Sequence, residues 1–156
     1  MTAARDTLRE EFKDPIARHD YAQIFGDSSI ALQIKSLRLQ RGLSQEELAA
    51  LAEMKQSRIS AMEQASYSSW SIRTLRRIAK AFDVALVVRF ESFGRLLDYV
   101  TAPDKRKALE RPSFPDDPAF VSYNQTSTNV VDFPAYRERR QDRNPVMTIA
   151  AEVRHG

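Results

Sequence analysis

The chain has no cysteine among its 156 residues, which excludes disulfides, thiolate zinc sites and iron–sulfur clusters and fits a reducing cytoplasm. Only four glycines occur, too few to expect a phosphate-cradling loop in addition to the turns a helical chain needs. The two histidines, His19 and His155, stand apart without a ligand-spaced partner. No nucleophile–base pair is visible either, so the expectation is a protein that is not an enzyme and takes no metal or cofactor. No apolar run approaches the roughly 18 residues of a membrane span, and the N-terminus lacks the apolar stretch of a secretory signal. No membrane partner and a cytoplasmic location are expected.

What is present is basic charge, unevenly placed. From residue 28 to 90 there are ten Lys/Arg against five Asp/Glu, a net of +5, whereas residues 1–27 carry four against six and residues 91–156 balance at ten each. Charge concentrated in the middle of the chain favours a polyanionic partner.

The same middle segment holds the most informative pattern, LSQEELAALAEMKQSRISAMEQ from Leu43 to Gln64. Leu48, Leu51 and Ala52 give one short helix an apolar face. Ile59 and Met62 do so for a second, which opens Lys55-Gln56-Ser57-Arg58 and keeps Ser60 and Ala61 off its buried side. Two helices meeting at so brief a break, the second presenting small and polar side chains, make a shape that enters a major groove.

The segment resembles the helix-turn-helix of the lambda-repressor/Cro-like, or XRE, family. Ser44, Gln45, Glu47, Leu48 and Ala49 match its first helix, and Met54, Ile59, Ser60 and Glu63 match the turn and second helix. The likeness spans roughly residues 29 to 90. Glu53 stands where the family has glycine and so takes the turn conformation without glycine's freedom at positive φ. Lys55 replaces a hydroxyl cap, so the second helix starts at Gln56 or Ser57.

The resemblance implies that Gln56 and Ser57 read bases, Gln being able to bond N6 and N7 of adenine. Arg58 either reads guanine or braces a phosphate, and Ala61 offers an apolar contact such as a thymine methyl. Gln45, Lys55, Ser60 and Gln64 are the phosphate-contact candidates, positioning the protein without specifying sequence. Glu63 is expected to tie the recognition helix to its surroundings. Double-stranded DNA is thus the expected partner, bound by a homodimer. The alternative from another class is an antitoxin, which uses the same helix-turn-helix for autoregulation and an extension, within 1–27 or beyond 111, to block a toxin partner.

Around the motif, Asp14-Pro15 opens a helix expected to end near Gly26, and Asp27-Ser28-Ser29 caps another that carries Ile30, Ile34 and Leu37 and stops at Gly42. Lys35, Arg38 and Arg41 face elsewhere. Ser71 caps a helix with Ile72, Leu75, Ile78, Ala79 and Phe82 on one side. Its Arg73, Arg76, Arg77 and Lys80 form a phosphate stripe or a solvated face, while Trp70 is read as a packing anchor. Val84 to Phe90 has the composition and alternation of a strand, followed by a short helix with Phe93, Leu96, Leu97 and Val100. Val84, Leu86, Val87, Val88, Phe90, Phe93 and Leu97 are the dimerisation candidates, the strand pairing with its twin or with Val130–Phe133. Beyond Thr101, prolines punctuate a polar chain whose Arg137, Arg139, Arg140 and Arg143 are either a basic arm or a solvated cluster.

The expected fold is mainly α: a lambda-repressor-like helical DNA-binding domain followed by a short β-strand and helix, with an extended C-terminal tail. The expected divisions are an N-terminal helical extension (1–27), the DNA-binding and dimerisation domain (28–100) and the proline-rich tail (101–156).

Overall fold

The computed structural model describes residues 2–101, 109 and 111–121. They form the helices α1 (Thr2–Glu11), α2 (Pro15–Gln40), α3 (Gln45–Leu51), α4 (Gln56–Met62), α5 (Ile72–Phe82), α6 (Phe93–Thr101) and α7 (Pro118–Val121), with a 3-10 turn at Phe114–Asp116 before the last. The Val130–Phe133 segment and the arginine cluster at 137–143 lie outside the described residues.

Asp14 caps α2 by accepting from the Ile16 backbone N–H at 3.0 Å, with Pro15 as the first helical residue. The helix then runs 26 residues without a break. The expected division at Gly26 is absent, and Ser28 and Ser29 sit inside the helix instead of capping a new one. Glycine costs only about 1 kcal/mol in a helix interior, less than packing along a continuous rod returns. The C-terminal half of α2 buries Ala31, Ile34 and Leu37. Beside its N-terminal half Phe12 meets Tyr21 and Phe93 edge-on at 5.2 and 5.9 Å, and His19 meets Phe93 at 5.4 Å. Arg5 pins α1 to α6 through Asp98 at 2.7 Å and Thr101 at 3.1 Å.

The main core joins α2 to α3, α4 and α5, with Leu48, Ile59, Met62 and Phe82 fully buried and Leu37, Ala49, Leu75 and Ile78 around them. Leu51, expected on the inner face of α3, is 56% exposed. At 100° per residue, Leu48, Ala52 and Ala49 share an arc from which position 51 lies outside.

Three helices end in the same way, with a residue at positive φ whose N–H, and that of the next residue, bond back to the last turn. For α2 this is Gly42 (φ 63), with Gly42 N–H to the Leu39 carbonyl and Leu43 N–H to the Arg38 carbonyl. For α3 it is Glu53 and for α5 Asp83, both at φ 53.

Val84–Phe90, expected as a strand, is irregular, and no strand occurs among the described residues. A strand needs a neighbour to take its alternating N–H and C=O groups, and no described segment makes a ladder with this one. Its alternating apolar composition marks a need for cover without supplying the pairing. Val84 packs against the core while Leu86, Val87, Val88 and Phe90 stay exposed. Residues 111–121, expected as extended tail, run beside the end of α5, where the Phe114 N–H donates to the Asp83 carbonyl at 3.2 Å and Arg41 donates to the Arg111 carbonyl at 3.1 Å.

The two glycine environments predict opposite responses. A Cβ added at Gly26 meets nothing within 4 Å, so Gly26→Ala should raise the unfolding free energy by about 1 kcal/mol in urea titrations. Gly42→Ala, at φ 63, should lower it by about 1–2 kcal/mol. A destabilising Gly26→Ala would contradict a continuous α2.

Candidate nucleic-acid interface

The first helix of the motif is set by a capping box. The Ser44 hydroxyl accepts from the Glu47 N–H at 3.1 Å, and the Glu47 carboxylate accepts from the Ser44 N–H at 2.7 Å. The Ser44 backbone N–H first, and the Ser44 side chain second, hold the Glu47 carboxyl below the usual glutamate range. Leu48 and Ala49 are buried where α3 and α4 pack together, and Ala49 is small enough to allow that approach. The turn closes with Met54 N–H to the Ala49 carbonyl at 2.8 Å and Glu53 N–H to the Ala50 carbonyl at 3.1 Å. Lys55 is the N-cap of α4 and makes no side-chain cap bond, so the helix starts at Gln56.

Burial of Ile59 and Met62 orients α4. The four base-reading candidates, Gln56, Ser57, Arg58 and Ala61, are all exposed. Of the phosphate candidates Lys55 and Gln64 are exposed, while Gln45 and Ser60 are half-buried. Arg58 leans toward α5, its guanidinium donating to the Thr74 hydroxyl at 3.1 Å. A shallow depression of about 380 Å³ at this end of α4 is lined by Glu53, Met54, Lys55, Ser57, Arg58 and Arg77.

Beneath the exposed row lies a polar chain that reaches the core. The Gln56 amide donates to the Gln45 carbonyl oxygen at 2.8 Å, and the Gln45 amide donates to Glu63 Oε2 at 3.0 Å. Arg38 of α2 grips the same carboxylate with two bonds, Nε to Oε1 at 2.6 Å and Nη2 to Oε2 at 2.9 Å. Its third bond, from Nη1 to the Leu43 carbonyl at 2.8 Å, secures the loop before α3. The ion-pair side chains are only 11% and 2% exposed. Burial alone would raise the Glu63 pKa, but the Arg38 and Gln45 bonds and the nearby charges of Arg38 and Lys35 hold it below the ordinary value. The bond to Glu63 raises Arg38, against its own desolvation.

Glu63 therefore does fasten the recognition helix. Arg38, read from the sequence as facing elsewhere, is its partner. Periodicity carries no signal for a pairing that spans 25 residues. Arg77, assigned to a solvated or phosphate-facing stripe, turns inward to the carbonyls of Ala52 and Glu53. Tyr67 and Trp70 stack edge-on at 4.6 Å and pack against the core. The dimerisation candidates divide into three groups. Val84 packs on the core, Leu86, Val87, Val88 and Phe90 are exposed, and Phe93 and Leu97 are occupied within the chain.

Among the described residues, no group of acidic or histidine side chains is placed to hold a metal ion. No described helix is long and apolar enough to cross a membrane.

A family model described as Helix-turn-helix matches residues 34–88. This segment is a helix-turn-helix of the lambda-repressor/Cro-like family. Neither the curated proteins nor the solved structures gave a match. The helix-turn-helix is a DNA-binding regulatory domain, not a catalytic one, and the protein carrying it is in general terms a DNA-binding transcriptional regulator.

The ion pair under the helix-turn-helix should make stability pH-dependent with a defined sign. A carboxyl whose folded pKa is depressed stabilises fully above its unfolded value, about 4.3, and loses that contribution as pH falls through the folded value. Arg38→Ala, which strands a buried carboxylate, should cost about 3–5 kcal/mol at pH 7. Urea titrations of wild type and Glu63→Gln should differ most at neutral pH, with the gap narrowing only once pH falls below about 4.3. A gap that stays constant with pH would contradict an ionised Glu63.

Proposed function

We propose that the protein is a sequence-specific transcriptional repressor that binds an inverted-repeat operator as a homodimer. The observation that carries this reading is the exposed row Gln56-Ser57-Arg58 at the start of a recognition helix held from behind by the Arg38–Glu63 pair. It lies in the segment of net +5, ten basic against five acidic residues. Gln56 reads adenine, Ser57 and Arg58 complete the set, and Ala61 contacts a methyl group. Gln45, Lys55, Ser60 and Gln64 engage the backbone. The Gln45–Gln56 bond at 2.8 Å couples a phosphate contact to a base contact.

One such helix reads too few base pairs to single out an operator. Two copies about a two-fold axis would read half-sites roughly 34 Å apart. The exposed run Leu86, Val87, Val88 and Phe90 supports self-association, because apolar side chains clustered at a surface favour a protein partner. Phe93 and Leu97 contribute indirectly, by anchoring α6 behind that run. Repression follows from occlusion of a promoter by the bound dimer. The antitoxin alternative gains no comparable support. Within one of the two segments it would use, residues 1–27, α1 is tied to α6 through Arg5.

Two substitutions test the reading at separate points. Gln56→Ala should weaken binding to the preferred duplex by roughly 1–3 kcal/mol and relax preference at one position of each half-site. Gln45→Ala should weaken all duplexes through the lost phosphate contact and, because Gln45 bonds Gln56, should blunt preference only at the position that Gln56 reads. Glutamate at both Val87 and Val88 should give monomers in sedimentation that bind DNA poorly. Unchanged consensus and affinity in Gln56→Ala, or dimers that persist with both glutamates, would overturn the corresponding assignment.

A further inference from the structure

We infer that Arg77 is a positioning residue for DNA reading: it clamps the helix-turn-helix turn in a conformation that Glu53 would not hold unaided. Glu53 closes the end of α3 at φ 53, a backbone region that residues bearing a Cβ adopt rarely. From α5, Arg77 donates through Nε to the Ala52 carbonyl at 2.9 Å and through Nη2 to the Glu53 carbonyl. Both acceptors lie at or just past the end of α3, where carbonyls lack helical partners and carry partial negative charge. The Glu53 carboxylate stands 4.0 Å from the same Nη2 and is largely exposed, so the carbonyls, not the ion pair, are the main anchor.

The turn matters because α4 begins at once beyond it. Gln56 lies three residues after Glu53, and Lys55 makes no side-chain cap that would fix the helix start independently. The direction of the first turn of α4, and so the placing of Gln56, Ser57 and Arg58, is inherited from the backbone at Ala52 and Glu53. Asp83, the other non-glycine residue at φ 53, has no such duty. Asp tolerates the left-handed region through its short polar side chain.

Lysine keeps the charge of Arg77 but not the planar fork that holds two carbonyls, so Arg77→Lys separates clamping from simple attraction to phosphate. Only the binding arm of the test rests on the proposed function. The full chain is compared as wild type, Arg77→Lys, Glu53→Gly, Glu53→Ala and the two double variants. One readout is hydrogen exchange of the 54–58 amides without DNA, and the other is affinity for the duplex that wild type selects from a random pool. Arg77→Lys should speed that exchange and weaken selected-duplex binding roughly tenfold each, about one lost hydrogen-bonding partner. The α2 amides should be unaffected, and random-sequence duplex binding should change no more than about twofold, since the phosphate contacts that set it retain their charge. In the Glu53→Gly background, where the turn is relaxed, the same substitution should cost less than about threefold. In the Glu53→Ala background, which keeps the strain and removes the carboxylate, the full loss should persist. Equal penalties in the wild-type and Glu53→Gly backgrounds would overturn the clamp, as would disappearance of the penalty in Glu53→Ala. If wild type preferred no duplex, the functional reading would fail while the exchange data still decided the clamp.

Discussion

The candidate DNA-facing side is tied to the core through one buried ion pair. Arg38 and Glu63 join the longest helix to the end of the recognition helix through two bonds of 2.6 and 2.9 Å. Replaced by well-packed apolar residues, a pair of this kind is often no loss to stability, because desolvation consumes most of the attraction. What it offers is direction. The fork fits one arrangement of two carboxylate oxygens, and one of those oxygens also accepts from Gln45, which in turn accepts from Gln56. The orientation of an exposed side chain is thereby set from the core outward. Burial of Ile59 and Met62 sets which face of α4 turns inward, and the directional fork adds a fixed point for the polar bonds above it, which a hydrophobic contact does not supply.

Glycine scarcity shapes the remainder. Three helices end in the left-handed conformation, and one of the three has glycine there. At Gly42 the chain turns freely into α3. At Asp83 the side chain tolerates the turn, and the backbone leaves α5 toward the exposed Leu86, Val87, Val88 and Phe90. At Glu53 neither help is available, and the support comes from Arg77. Arginines thus meet main-chain carbonyls at the entry to the helix-turn-helix, Arg38 at Leu43, and at its turn, Arg77 at Ala52 and Glu53.

Local rules carried the sequence reading a long way. The caps Asp14 and Ser71, a start of α4 at Gln56 or Ser57, the anomalous turn at Glu53, the inner face of α4 and that of α5 except for the exposed Ile72 are legible from residue type and spacing. Three features were not. Gly26 and Ser28–Ser29 read as a boundary because their preferences are local, while α2 is continuous because of what packs along it. Val84–Phe90 read as a strand because its alternation is genuine, but alternation cannot supply a pairing partner. Arg38 and Arg77 read as surface charges because arginine usually is one. Glu63 for Arg38, and Ala52 and Glu53 for Arg77, lie 24 or 25 residues away, a distance at which no periodicity operates. The exposure of the candidate reading row could be anticipated from the motif, whereas the chain of bonds beneath it could not.

The central claim is that α4 reads sequence and does so in two symmetric copies. Selection of bound duplexes from a random pool by the full-length protein, followed by sequencing, tests both parts in one measurement. A motif with two-fold symmetry, its half-sites separated by about one helical turn of roughly 34 Å, is the predicted result. A pool that stays random after repeated rounds would contradict sequence reading, and an enriched motif without symmetry would contradict the dimer.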